Sequence, residues 1–208
     1  MKDLLLLSQW LSPAFPVGAF AYSHGLETAV QAGQVVDAAR LEAWLEDVIN
    51  KGSARSDAVL LAAAYRGDVG EVDLVARAFQ PSSERLREAE QLGAAFARTV
   101  RDVWALDVGD ALYPVAVGHA AGLRRLPLDD TVALYAQGFL ANLVSAAVRL
   151  VPLGQTEGQA VLARLSVACG ALAREASQFT LDDLENAAFL SDIAAMRHET
   201  LQPRSFQS

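Results

Sequence analysis

Three histidines, His24, His119 and His198, a single cysteine, Cys169, and the adjacent pair His198-Glu199 are the groups most able to do chemistry in this chain. Their spacing argues against most of it. Two imidazoles share a helix face, and can grip a metal, when they stand in H-x-x-x-H spacing, and no such pair occurs. One cysteine excludes an intramolecular disulfide and any Cys-x-x-Cys metal or redox motif. Neighbouring residues on a helix point about 100° apart, so His198 and Glu199 are not a ready acid/base pair. G-x-x-x-x-G-K-[ST], G-x-G-x-x-G and G-x-S-x-G are all absent, which removes the phosphate cradles and the α/β-hydrolase nucleophile. The residues therefore offer no catalytic set, no ready-made metal site and no cofactor motif. A metal site converging in three dimensions or across a dimer axis stays open. His119, inside an apolar run, reads as a hydrogen-bonded core histidine. His24 and His198 stay open between a cap or anchor and a functional contact.

The elements that position these residues are helical. Between Ser12 and Glu27, Pro13 and Pro16 force an extended, turned entry, Gly18 frees a tight turn, and Ser23, His24 and Gly25 lead into an apolar stripe at Leu26, Ala29 and Val30. The aromatics Phe15, Phe20 and Tyr22 of this segment are either core anchors around the turn or a protein contact. After Asp37, a candidate N-cap, Leu41, Trp44, Leu45, Val48 and Ile49 repeat at three and four. Similar stripes run through Val59 to Ala64 and Val72 to Phe79, and the long stretch from Glu84 to Leu106 carries another, Leu86 to Trp104, with its paired charges on the other, outward side. Asp110 or Gly109 can cap a helix with Pro114 in its first turn, and Pro127 with Asp129 and Asp130 opens the next. Further helices are expected over Thr156–Ser177 and Leu181–Ala195, the latter capped by Thr180. No stretch alternates with period two. The expected fold is all-α, a single compact multi-helix bundle of about eight to ten helices without a sheet. It covers residues 1–200, with 201–208 a flexible C-terminal tail able to order on a partner.

Composition narrows the function classes. A net charge of −8 and a pI near 4.8 argue against a nucleic-acid surface, which needs clustered Lys and Arg, and favour basic partners. Lys2 is followed at once by Asp3, and four leucines are too short an apolar run for a secretory signal. The longest apolar run, Thr131–Val148, carries Gln137, Asn142 and Ser145 and reads as a buried central helix instead of a membrane span. A cytoplasmic location is expected.

Four blocks of sequence resemble one family. S-P-A-F-P-V-G-A-F-A-Y-S-H-G-L-E at 12–27 resembles the amino-terminal signature of the UreF family of urease accessory proteins. Tyr113-Pro114-Val115 with Gly118, Asn142 through Arg149 with Pro152 to Gln155, and Ser191 to Thr200 resemble its later blocks, in order. The resemblance implies a non-enzymatic, all-α maturation factor that dimerises, binds UreD (UreH) and through it recruits the GTPase UreG to deliver nickel to apo-urease. Regulation of the UreG GTPase cycle, or direct nickel binding as a chaperone, are the alternatives. The expected partner-binding residues are Phe15, Phe20, Tyr22, Ser23, His24 and Glu27 in the first block, with Arg197, His198, Glu199, Arg204 and Phe206 near the end. In the tail, Arg204, Phe206 and Ser208 match the family's ending, whereas Gln207 replaces a second arginine. That loss of a charge-assisted donor makes Arg204 the stronger candidate for partner recognition.

Overall fold

The helical periodicity is realised in ten α-helices: Lys2–Trp10 (α1), Leu26–Gln31 (α2), Ala38–Lys51 (α3), Ser53–Arg66 (α4), Val69–Ala78 (α5), Ser83–Trp104 (α6), Tyr113–Arg124 (α7), Leu128–Leu150 (α8), Gln155–Ala176 (α9) and Phe189–His198 (α10). Two 310 turns stand at Ala19–Ala21 and Leu181–Asp183, and there is no strand. The computed structural model describes residues 1–208.

Helix starts fall where a side chain can take up free N–H groups. Asp37 Oδ1 accepts from the Arg40 amide at 2.8 Å, Asp68 Oδ1 from those of Gly70 and Glu71, and Ser82 Oγ from that of Arg85. At α7 the expected caps, Asp110 and Gly109, are not used. Leu112 is the N-cap residue, and its amide donates instead to Asp73 Oδ1 of α5 at 2.7 Å, so a neighbouring helix supplies the acceptor. The expected last helix from Leu181 is also corrected. Asp183 accepts from the Thr180 amide and hydroxyl and closes a single 310 turn. The chain then runs without helix to Ala188, its Ala187 amide bonded to the Lys51 carbonyl at 2.7 Å, and α10 begins at Phe189.

α8 is the central helix and packs against α1, α2, α4, α7 and, most extensively, α9. It is long and apolar enough to cross a membrane by length and composition alone, yet 50% of its most apolar window is buried inside the protein. α4 and α7 meet nearly backbone to backbone. A Cβ at Gly118 would collide with the Leu61 carbonyl, and one at Gly122 would stand 2.5 Å from that of Tyr65. Arg66 fixes the far end of α9 by donating to the Ala176 and Phe179 carbonyls, both at 2.6 Å.

An aromatic cluster pins the amino-terminal segment. Trp10 meets Phe96 and Trp104 edge-on, with centroids 5.6 and 5.7 Å apart, and Phe15 sits over the same pair. Phe15 is thus a core anchor. Phe20, on the following 310 turn, is 69% exposed.

Candidate functional site

The two ends of the chain are clasped together by buried polar groups. His198, the last residue of α10, is fully buried between two carboxylates, with Nδ1 2.7 Å from Glu84 Oε2 and Nε2 3.3 Å from Glu27 Oε2. The same carboxylates hold the tail. Glu27 accepts the main-chain amides of Ser205 and Phe206 at 2.7 and 3.0 Å, and Glu84 accepts from the Arg204 guanidinium at 2.5 Å. Ser23 donates its amide and hydroxyl to the main-chain oxygen of Ser208, Gln207 donates to the Ala21 carbonyl, and the Ser208 hydroxyl donates to Glu88 at 2.6 Å. The Arg149 guanidinium lies 4.4 Å over the Phe206 ring and donates to the Phe20 carbonyl. Residues 201–208, expected to be a flexible tail, are docked along the first block, with Phe206 and Ser208 buried.

Gly25 permits this close fit. It adopts φ +77°, and a Cβ there would run into the backbone of Ala194 and Ala195 on α10.

A second network lies beside the clasp. Arg85 and Glu88, one turn apart on α6, form a fully desolvated ion pair, and Glu88 Oε1 is 2.7 Å from His24 Nε2. Burial pushes the His24 imidazole down, Arg85 reinforces that, and Glu88 opposes it, so the ring is neutral. Its Nε2 lies 2.7 Å from Glu88 Oε1 and 3.2 Å from the Arg85 guanidinium, and the closer contact, to an acceptor, places the proton on Nε2. Nδ1 is then an acceptor, and it has no partner. For Glu88, burial favours the neutral acid, but the Arg85 charge and the His24 contact outweigh it and pull its pKa to about 2. Asp57 of α4 behaves oppositely. Burial raises it to about 6 against the opposing pull of Arg85 and the 2.8 Å hydrogen bond from the Tyr135 hydroxyl. These groups floor a cavity of about 340 Å³ between α6, α8 and the 11–20 loop, with the exposed residues Pro13, Phe20, Gln155 and Gln159 at its rim.

The expected site residues divide cleanly. Phe15, Tyr22, Ser23, Glu27, His198 and Phe206 are buried and His24 nearly so, where they hold the surface instead of forming it. Phe20, Arg197, Glu199 and Arg204 reach solvent. Glu199 still has an internal role, accepting from the Ser83 amide and hydroxyl at 2.8 and 2.7 Å at the head of α6. Sequence reading missed Asp57, Glu84, Arg85 and Glu88. The charges at 84, 85 and 88 were assigned to an outward face, and the structure turns all three inward. Their i, i+1, i+4 spacing on one side of α6 was the available signal.

No grouping of three or more His, Cys, Asp or Glu side chains is arranged to hold a metal ion. Burial raises Cys169 to about 11, which leaves it a thiol, not a nucleophile. His119 is half-buried on α7, not deeply packed, and its Nδ1 lacks the hydrogen-bond partner expected of it. The outer face of α10 is apolar, with Phe189, Leu190, Ile193 and Met196 between 41% and 68% exposed. Such a stripe beside polar residues is the anatomy of a protein contact.

The fold is all-α, and its clasp is made of buried charges that tie the two ends of the chain together. The family model for UreF matches residues 35–166. Over 207 residues the chain is 53% identical to the urease accessory protein UreF of Roseobacter denitrificans, covering 98% of this chain and 93% of that one. The corresponding protein of Cereibacter sphaeroides is 54% identical over 206 residues, covering 99% and 98%, and that of Ruegeria pomeroyi 48% over 211 residues, covering 100% and 97%. The chain belongs to the UreF family of urease accessory proteins.

Proposed function

We propose that this chain is a non-enzymatic urease maturation factor of the cytoplasm that scaffolds a UreD(UreH)–UreF–UreG complex. As a dimer it positions UreD and the UreG GTPase for GTP-dependent delivery of nickel to apo-urease. The observation that carries this reading is the apolar stripe of α10, mounted directly on the His198 clasp. Phe189, Ile193 and Met196 stand at i, i+4 and i+7, the spacing with which one helix face anchors in a partner. Arg197, Glu199 and Arg204 supply a polar rim, and the clasp fixes the orientation of the whole face.

In this reading nickel is cargo, and the chain contributes surfaces instead of a reacting group. UreD occupies the α10 face, and the net charge of −8 steers basic partner surfaces toward the dimer. Capture of UreD by the tagged chain, followed by retention of GTP-loaded UreG on the pair, tests the proposal. Failure to retain UreD counts against it. A GTP-turnover assay of UreG with and without the complex separates a passive scaffold from a regulator of the GTPase cycle.

A further inference from the structure

Four acids are buried in this protein, Glu27, Asp57, Glu84 and Glu88. Three of them face a cationic side chain or an imidazole: Glu27 meets His198, Glu84 meets His198 and Arg204, and Glu88 meets Arg85 and His24. Asp57 alone makes no such ion pair, although the Arg85 charge is near enough to act on it. Its one hydrogen bond comes from the Tyr135 hydroxyl, and the nearby Arg85 is committed to Glu88. Asp57 lines the 340 Å³ cavity, and so does His24, whose unpartnered Nδ1 is the lone-pair nitrogen of the neutral ring. Both incomplete groups are acceptors. Leu11, Val17, Leu92, Phe139, Val144 and Val148 make the walls between floor and rim apolar.

We propose that this cavity is a binding site for a primary ammonium on an aliphatic stem, carried either by a small alkylamine or by a lysine side chain of another protein. The stem replaces water along the walls, and the ammonium supplies donors to the carboxylate of Asp57. A guanidinium is less suited, because its planar fork seeks two free carboxylate oxygens and Tyr135 already engages one. An anion would meet the unpaired Asp57 charge, while Arg85 is already neutralised by Glu88. A neutral apolar guest would leave the buried acceptor without a donor, which is expensive. The cavity volume lies in the range of small-ligand sites. The proposal does not depend on UreD or UreG, so its failure leaves the scaffold reading untouched.

Titration should report the same event. Asp57 is faced by Tyr135 from α8, Tyr113 from α7, Arg85 and Glu88 from α6, and His24 from the loop before α2. Its carboxyl is pushed up to about 6, so it is charged at neutral pH and protonated in mild acid. Ammonium binding accordingly weakens as the solution is acidified through that range.

The test is a titration of the full chain, followed by amide NMR, with n-pentylammonium, n-pentanol and pentanoate as separate probes. At about pH 7.5, n-pentylammonium should bind saturably at the cavity residues and about tenfold or more tighter than n-pentanol, the effect of one charge-assisted hydrogen bond. Asp57→Asn should erase that preference and leave n-pentanol binding unchanged. Tyr135→Phe, which frees the carboxylate of its own donor, should retain the preference and serves if Asp57→Asn does not fold. Capped Gly-Lys-Gly, compared with the free amine, distinguishes the sources. Binding of the peptide assigns the site to a lysine side chain, and binding of the amine alone assigns it to a small ligand. Equal affinity for n-pentanol and n-pentylammonium, or no saturable shift at the cavity with any probe, overturns the proposal.

Discussion

Glu27 Oε2 accepts the main-chain amide of Phe206 at 3.0 Å, although 179 residues separate the two. With the Ser205 amide on its other oxygen, Glu27 acts as a two-donor socket for a segment that has no secondary structure of its own. Glu27→Gln replaces one acceptor oxygen by an NH2 group facing an amide donor. It should lower stability by about 2–3 kcal/mol and open the tail first. Hydrogen exchange checks this: the Ser205 and Phe206 amides should lose protection while α6 keeps most of its own, and unchanged protection at 205 and 206 would refute the socket.

Stability against pH should carry the signature of Asp57. Its carboxyl rises from 3.8 to about 6 on folding, so between those values the folded state holds a proton that the unfolded chain releases. The sign is therefore the reverse of an ion-paired acid: stability falls as pH rises through the window, by up to about 3 kcal/mol. Glu88 acts in the other direction, its pKa lowered from 4.5 to about 2, so its contribution is present above pH 4.5 and lost as pH falls toward 2. Denaturant titrations of Asp57→Asn from mild acid to neutral pH should lose the falling limb, leaving the variant as stable as the parent or more so at neutral pH. A falling limb that persists in the variant would mean another group is responsible.

Gly118→Ala tests the close approach of α4 and α7. The added Cβ would strike the Leu61 carbonyl, a backbone atom that cannot rotate away, so the helices must separate. A loss of about 3 kcal/mol is expected, at the upper end for a single added methyl group. Thermal unfolding measures it, and a shift near zero would show that the two helices have slack.

The α10 stripe predicts a variant that folds normally but fails to assemble. Ile193 and Met196 are 41% and 50% exposed, so Ile193→Asp with Met196→Asp should leave the melting temperature nearly unchanged while abolishing co-purification with UreD. Arg204→Ala should weaken the same assembly without altering helicity, acting through the tail that Arg204 ties to Glu84. Normal UreD capture by both variants would remove this face from the account.

Much of the architecture was legible in periodicity alone. The helices centred on Leu41–Ile49, Val59–Ala64 and Leu86–Trp104 stand where their stripes placed them, and Asp37 caps as expected. Two features escaped because they depend on distant partners. Leu181–Ala195 has a helical stripe, but Asp183 folds back on Thr180 and the Ala187 amide finds Lys51, so the helix starts late. The tail shows no pattern because Glu27, Glu84 and Ser23, far away in sequence, make its order. The four family-like blocks, by contrast, meet in space: Asn142 and Arg149 hold the carbonyls of Tyr22 and Phe20, Tyr113 lines the cavity, and His198 closes the clasp.

Light-scattering size exclusion of this chain alone, then with its cognate UreD, then with GTP-loaded UreG added, tests the scaffold most directly. The account predicts a dimer that gains mass with UreD and afterwards retains UreG. A monomer that elutes unchanged beside UreD would contradict it.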